Sequence, residues 1–192
     1  MIKGWVRQIR AASALAMAVM LGGCQAYTDI SSTKAAEFDQ EFKRYSIVNY
    51  AMPVLPDEYV ASFQAGMLNR LTACGANAAF TRVVTHGNEL TFDADSEAEV
   101  TTNEARLQEL NPDAILVVRE ELTQRRGMGT VTLSRFFVEL SDRTTQKPVW
   151  KASVEMHPQT GTPAEFGAIL ARDLTARMVR DGLLGNCAGK RV

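Results

Sequence analysis

Residues 114–122 (AILVVREEL), 130–140 (TVTLSRFFVEL) and 149–156 (VWKASVEM) decide the fold of this chain. The first stretch opens with five apolar residues, a pattern typical of a strand that is covered on both faces. The other two stretches are rich in β-branched and aromatic residues and are separated by the turn sequence SDRTTQK. Together they predict an antiparallel C-terminal hairpin beside a buried strand.

The middle stretch changes parity along its length. Its apolar residues fall into two sets, Val131 with Leu133, and Phe136 with Val138 and Leu140. Side chains of a strand repeat with a period of two, so one face cannot hold both sets unless the strand contains an extra residue. We therefore expect a bulge near Ser134-Arg135.

Two helices are predicted by apolar residues spaced three or four positions apart. The first begins near Asp57, a candidate N-cap, and ends at Gly75. The closing helix begins with a capping-box pattern at Thr162 and Glu165 and ends at Gly182. Their apolar faces are Val60, Phe63, Met67 and Leu71 in the first helix, and Phe166, Leu170, Leu174 and Met178 in the second.

Two further strands at 43–50 and 78–85 and a short helix at 101–110 complete the predicted order of elements. This order indicates an α/β chain of the α+β type. We expect a single mixed sheet with an antiparallel C-terminal hairpin and two main helices packed on it.

The strand in NPDAILVVRE, the hairpin FFVELSDRTTQKPVWKASVEM and the closing helix resemble a recurrent periplasmic domain. Its examples are activator lipoproteins of penicillin-binding proteins, the curli secretion channel subunit and the N-terminal domain of the Tol–Pal propeller protein. The resemblance covers residues 43–184 and implies the same periplasmic α/β fold.

The first 24 residues indicate the compartment. Three basic residues and no acid precede an uncharged, mostly apolar run at 11–20. That run is too short to span a bilayer, which takes about 20 apolar residues, and the layout is that of a secretory signal peptide over 1–23. Leu21-Gly22-Gly23-Cys24 resembles a bacterial lipobox, which implies cleavage before Cys24 and acylation of that cysteine. The alternatives are an ordinary secreted protein cleaved nearby and an N-terminal helix that is retained.

Gln25 follows the lipobox cysteine. In enteric-type bacteria an aspartate at this position favours retention in the inner membrane, so the resemblance implies an outer-membrane lipoprotein that faces the periplasm. We expect residues 24–42 to be the lipidated cysteine and a polar tether, and residues 43–192 to be the periplasmic domain.

The composition is that of an ordinary globular protein. The chain has 192 residues, of which 46% are hydrophobic and 22% charged, with a formal net charge of −1. These values exclude a disordered chain, a collagen-like chain and a polytopic membrane protein. Near-neutral charge argues against a nucleic-acid partner. The expected partners are the membrane, through the N-terminal lipid, and another envelope protein.

Two cysteines remain if Cys24 carries lipid. Cys74 and Cys187 each follow the end of a predicted helix, and an oxidising periplasm permits a disulfide between them. Two helices that run parallel on one face of the sheet would bring these ends together. A disulfide requires a Cα separation of roughly 4.4–6.8 Å. The alternative is two unrelated thiols.

No combination of residues predicts catalysis, and we expect no metal site and no cofactor. His86 and His157 lack the three or four closely spaced ligands of a zinc site. The sequence Gly127-Met128-Gly129 lacks the third glycine and the following helix of a phosphate loop, and we interpret it as a hairpin turn. Residues 93–104 partly resemble an EF-hand calcium loop, but Ala98 stands where a glycine is needed. We interpret that segment as a solvated acidic loop.

The sequence places four charged residues at the exposed end of a strand, namely Glu120, Glu121, Arg125 and Arg126. We take them as a candidate partner-binding set.

The chain is interpreted as an outer-membrane-anchored periplasmic lipoprotein that acts as a non-catalytic binding or accessory module for an envelope protein complex.

Two alternative functions stay open. An auxiliary lipoprotein of a transport system would bind a small molecule or lipid, and an apolar cavity under the sheet would favour it. A filled core with an exposed groove would instead favour a protein partner. A cell-wall enzyme would need a strongly perturbed carboxylate in a cleft, for which Glu120 and Asp113 are the candidates.

Overall fold

The fold is taken from a computed structural model, which describes residues 26–51, 55–84, 105–126, 130–158, 160–185 and 187. The expected signal peptide, Cys24, His86, the acidic loop 93–104 and the Gly127–Gly129 turn lie outside these residues. The strands are β1 (Tyr27–Lys34), β2 (Arg44–Ala51), β3 (Asn77–Val84), β4 (Ala114–Arg126), β5 (Thr130–Asp142) and β6 (Pro148–His157). The helices are α1 (Asp57–Ala73), α2 (105–110) and α3 (Pro163–Arg180).

The predicted fold class is confirmed as a single mixed sheet of six strands in the order β1-β6-β5-β4-β2-β3. The strand β2 runs parallel to both β3 and β4, whereas β4, β5, β6 and β1 pair antiparallel in succession. The carboxyl ends of the three parallel strands therefore lie at one end of the sheet, together with the start of β5 and the end of β6.

The inner face of the sheet is covered by α1 and α3, which pack side by side. Leu116, Val118, Phe136 and Val138 from the strands and Leu170 from α3 belong to one continuous buried cluster. This is the contact that the apolar face of the closing helix predicts. The predicted strand at residue 114 is covered less completely than expected, because Ile115 and Val117 on its other face are only partly buried.

Glycine allows the two helices to approach closely. A Cβ atom added to Gly167 of α3 would lie 2.3 Å from the carbonyl oxygen of Tyr59 and 2.9 Å from the amide nitrogen of Phe63 in α1. A Cβ atom on Gly66 of α1 would lie 2.7 Å from the Cβ atom of Ala171 in α3. The helices therefore touch backbone against backbone at Gly167.

The start of α3 follows the sequence pattern, and the start of α1 departs from it. Thr162 and Glu165 form the predicted capping box, with side chain and backbone bonds in both directions. Asp57 was expected to be the N-cap of α1, but Pro56 occupies that position without a side-chain cap. The carboxylate of Asp57 instead pairs with the guanidinium of Arg82 at 2.7 Å, because the following strand places that cation beside the helix start.

The segment 24–42, expected to be a polar tether, contains a strand. This strand is β1, which occupies Tyr27–Lys34 and pairs with β6 at the edge of the sheet. Its composition is typical of a linker because Ile30 is the only apolar residue among its inward positions. Thr28 donates a hydrogen bond to Asp173 at 2.6 Å, and Ser32 donates one to Asp181 at 2.5 Å. These polar contacts with α3, together with the packing of Ile30 against the core, hold β1 in place.

The irregularity predicted near Ser134-Arg135 is present, but the inserted residue lies on the neighbouring strand. Glu120 and Leu122 of β4 pair with the consecutive residues Phe136 and Arg135 of β5, so Glu121 is the extra residue. A second shift occurs where Gln124 and Arg125 pair with Leu133 and Val131. The extra residue there is Thr132 on β5, and it separates Val131, which lines the cleft described below, from Leu133, which keeps the parity opposite to Phe136.

Cys74 and Cys187 form a disulfide in the structure, with their Cα atoms 4.3 Å apart. This separation is 0.1 Å below the lower limit of the expected range. The bond joins the end of α1 to the segment that follows α3, which agrees with the predicted parallel helices. It closes a loop across a sequence separation of 113 residues. The chain-entropy model assigns such a loop an upper stabilisation of about 4–5 kcal/mol.

Asp181 at the end of α3 provides a pH-dependent link to the sheet edge. One of its oxygens accepts bonds from Ser32 at 2.5 Å, the indole of Trp150 at 2.7 Å and Arg177 at 3.1 Å. Burial by itself raises the pKa of Asp181, but these three hydrogen bonds and the charge of Arg177 outweigh burial and hold the pKa below its usual value of 3.8.

We expect Asp181→Asn to lower the free energy of unfolding at neutral pH by about 1.5–3 kcal/mol, the range for hydrogen bonds to a charged group. Because the folded-state pKa is depressed, this contribution is complete above the unfolded-state pKa near 3.8 and is lost as the pH falls through the folded value. Urea titrations of both proteins between neutral and acidic pH measure it. A difference that stays constant down to the lowest pH would contradict the prediction.

Candidate functional site

A cleft of about 350 Å³ opens at the end of the sheet where the parallel strands finish. It lies between the N-termini of α1 and α3 and the ends of the strands β4, β5 and β6. Its lining is mostly apolar and consists of Leu55, Pro56, Tyr59, Arg125, Val131, Ser134, Met156, Pro158, Gly161, Pro163 and Phe166. In open α/β sheets, ligand sites occur at the carboxyl ends of the parallel strands. This cleft is therefore the first candidate site.

A small polar cluster lies beside the cleft, within the otherwise apolar interior. The Glu120 side chain is only 3% exposed and accepts a hydrogen bond from the hydroxyl of Thr123. That hydroxyl lies 3.2 Å from the hydroxyl of Ser134, which is fully buried and lines the cleft. Burying a carboxylate is costly unless hydrogen bonds compensate, and the Thr123 hydroxyl supplies one such bond to Glu120.

Tyr59 links this cluster to the cleft wall. Its ring stacks on Phe136 with centroids 6.2 Å apart. Its hydroxyl is buried and has no hydrogen-bond partner among the described residues. Burial first, and then the charge of Glu120, raise the pKa of Tyr59 well above its usual value. The phenol therefore stays protonated and is a donor next to the cleft.

The structure divides the four predicted partner-binding residues. Glu121, Arg125 and Arg126 are exposed near the end of β4, as expected. Glu120 differs from the expectation of an exposed residue. It shares the parity of Ala114, Leu116 and Val118, so the strand directs its side chain into the interior. That parity is visible in the sequence and would have predicted its burial.

Asp113 immediately precedes β4, whereas Glu120 lies seven residues further along the chain, in the middle of that strand. One of its oxygens accepts a hydrogen bond from the backbone amide of Arg44 at 2.9 Å, and the other lies 3.5 Å from the guanidinium of Arg44. The two carboxylates considered for a cell-wall enzyme therefore lie apart along the strand. Asp113 fixes the start of β4 next to β2.

A second candidate surface lies on the outer face of the sheet, away from α1 and α3. Tyr50, Arg119 and Phe137 are cross-strand neighbours in one row on β2, β4 and β5. The guanidinium of Arg119 lies 5.5 Å from the centre of the Tyr50 ring. Val48 and Val117 form the adjacent row. We call these five residues the outer-face patch.

Charged pairs border the outer-face patch on its β6 side. Lys151 and Glu139 lie 3.0 Å apart, and Arg135 and Glu155 lie 2.5 Å apart. Tyr, Phe and Arg are the residue types enriched in protein–protein interfaces, whose centres are apolar and whose rims are polar. The patch has this arrangement.

His157 is a neighbour of two cleft-lining residues in the sequence but does not itself line the cleft. His157 stacks on Tyr27 at 4.7 Å, at the edge between β1 and β6. Nowhere in the part of the chain that the structure describes do three His, Cys, Asp or Glu side chains come together as a metal site would require. None of the helices in those ranges is long and apolar enough to cross a membrane.

Sequence patterns did not predict the cleft. Its walls come from Pro56 and Tyr59 in α1, Val131 in β5, Pro158 after β6 and Phe166 in α3, which are distant in the sequence. Phe166 and Tyr59 fit ordinary helix positions, and prolines beside a helix start are common. A cleft formed where five elements end leaves no signal in any one of them.

No protein-family model and no curated protein sequence matches the chain. Among solved structures, the chain is similar to the PelC dodecamer from Paraburkholderia phytofirmans, with 18% identity and a TM-score of 0.46, over 78% of this chain and 96% of that one. It is also similar to the lipoprotein GNA1162 from Neisseria meningitidis, with 13% identity and a TM-score of 0.39, over 72% and 99% of the two chains. A third similar structure, a protein from Xanthomonas campestris, has 11% identity and a TM-score of 0.37, over 79% and 88%.

Proposed function

We propose that this chain is an outer-membrane-anchored periplasmic lipoprotein that acts as a non-catalytic binding module for another envelope protein. The anchor is Cys24, supported by the basic and apolar leader and by the lipobox resemblance of Leu21-Gly22-Gly23-Cys24. The body is the α+β domain that begins with β1 at Tyr27.

The observation that carries the binding role is the outer-face patch. Tyr50, Arg119 and Phe137 stand side by side on a sheet face, with ion pairs beside them. Aromatic and arginine side chains provide large contact areas and cost little conformational entropy when they are already stacked. A partner protein that covers this row would bury the rings and retain the charged pairs at the edge of the contact.

The arrangement of the core supports a protein partner over a carrier that encloses its ligand. The space between sheet and helices is filled by large side chains, among them Trp150, Phe63, Phe136 and Met67, each at most 2% exposed. The cleft described above lies at the end of the sheet, not under it. A core filled in this way favours recognition of a protein at the surface.

Site-specific photocrosslinking in intact cells tests this function. A photoreactive phenylalanine analogue at Phe137 is expected to give a discrete adduct with one envelope protein. The matched control is the same analogue at Ala176, an exposed position on α3. Replacing Arg119 with glutamate should abolish the Phe137 adduct, because a negative charge replaces the cation that stacks on Tyr50. Equal adducts from both positions, or none from Phe137, would disprove the proposal.

The anchor is tested separately by Cys24→Ser. A hydroxyl group cannot replace the thiol in thioether formation, so we expect the variant to incorporate no labelled fatty acid and to leave the membrane fraction. Metabolic labelling with a fatty acid and cell fractionation measure both effects. Equal labelling of the variant and the natural chain would contradict the anchor and would favour the alternative of an ordinary secreted protein.

A further inference from the structure

The start of β1 places the proposed anchor next to the cleft. Tyr27 pairs with His157, and Thr28 pairs with Met156, which lines the cleft. Cys24 precedes Tyr27 by three residues. A fully extended chain of that length reaches roughly 10 Å. The cleft end of the domain therefore stays close to the membrane that holds Cys24.

The chemistry of the cleft fits an amphipathic ligand. Its volume of about 350 Å³ lies in the range of small-molecule sites. Val131, Met156 and Phe166 supply apolar walls, and Arg125 supplies a cation where the cleft opens. The Tyr59 hydroxyl, buried in the wall without a partner among the described residues, is an additional hydrogen-bond donor. An acyl chain fits the apolar walls, and a phosphate group fits the cation at the opening.

We propose that the cleft holds one acyl chain of a phospholipid drawn from the membrane that carries the protein, with the lipid phosphate near Arg125. This inference rests on the proposed anchor at Cys24. At this distance from a bilayer, phospholipid is the most concentrated apolar ligand, since the tether keeps its effective concentration high. Moving an acyl chain from the bilayer into the cleft changes its free energy little, because both environments are apolar. Selectivity therefore comes from the fit of the cleft and from Arg125.

The test uses the lipidated protein in vesicles of phosphatidylethanolamine and phosphatidylglycerol. A fraction of the phosphatidylglycerol carries a diazirine near the end of one chain. After illumination and proteolysis, mass spectrometry locates the lipid adducts. We expect adducts on the peptides that contain Val131 and residues 156–166, and none on the peptide that contains Arg143, at the other end of the domain.

Three variants make the result specific. Val131→Trp fills the cleft and should remove most of the adduct from the cleft peptides, while adducts near Tyr27 persist. Val131→Thr, which introduces a polar group without added bulk, is used if the tryptophan variant unfolds at a lower temperature. Arg125→Ala should lower the yield roughly two- to fivefold, the range for one exposed charged contact.

The outcomes separate the two proposals. Protein that fails to float with the vesicles before illumination disproves the anchor. Protein that floats, but has adducts only near Tyr27 or adducts unchanged by the Val131 variants, overturns the lipid site and leaves the anchor standing. Cleft residues that crosslink in cells to a protein and never to lipid would also overturn it.

Discussion

Leu170→Ala is expected to lower the free energy of unfolding by about 2–5 kcal/mol, because it removes buried methyl groups and leaves a cavity. Leu170 is 1% exposed and belongs to the cluster that joins α3 to Leu116 and Phe136 of the sheet. The loss is a large part of a typical total of about 5–15 kcal/mol. Thermal and urea unfolding measure it. In cells the variant should lose abundance while its lipidation stays normal.

Arg172→Ala is the matched control on the same helix. The Arg172 side chain is 51% exposed and pairs with the neighbouring Asp173 at 2.7 Å. Removing an exposed charge of this kind changes stability by about 0.5 kcal/mol or less. If Arg172→Ala proved the more damaging of the two, the buried face of α3 would be misassigned and Arg172 would become a candidate functional residue.

Gly167→Ala should destabilise the domain by about 2 kcal/mol, although alanine is the better helix former by up to about 1 kcal/mol. The added Cβ atom would meet the carbonyl oxygen of Tyr59 at 2.3 Å, and that backbone atom cannot move unless the helices separate. For a domain of this size the change corresponds to a drop of roughly 4–8 °C in Tm.

Gly66→Ala provides the comparison for Gly167→Ala. Its added Cβ atom would meet the methyl group of Ala171, a side chain that a second substitution can remove. The double variant Gly66→Ala with Ala171→Gly should therefore recover part of the lost stability. No side-chain substitution in α1 should rescue Gly167→Ala. Rescue of Gly167→Ala by a smaller side chain at Tyr59 would show that the helices do not touch through their backbones there.

The elements with strong local patterns were predictable from the sequence. The capping box at Thr162 and Glu165, the apolar face around Leu170 and the hairpin of β5 and β6 each follow from a few neighbouring residues. Local hydrogen bonds and periodicity specify such elements, and the tertiary structure does not override them.

Features that depend on distant contacts were not predictable. Two inward residues of β1, Thr28 and Ser32, are polar and indicate a strand only when their partners on α3 are known. The row of Tyr50, Arg119 and Phe137 exists because three strands pair in one register, which spacing along a single strand does not reveal. The burial of Glu120 follows from its parity with Leu116 and Val118 in β4, although the charged run around it suggests exposure.

The position of β1 also determines how the domain would bear mechanical force. With the proposed anchor at Cys24, a pull from the membrane would enter the domain through Tyr27, and we consider the case in which it acts along the strand. The eight residue pairs of β1 and β6 are then loaded together in shear, whereas a pull across the strand would open them one after another. The bonds from Ser32 to Asp181 and from Thr28 to Asp173 add resistance to sliding. Under the proposed anchor, this edge strand would connect the domain mechanically to the membrane.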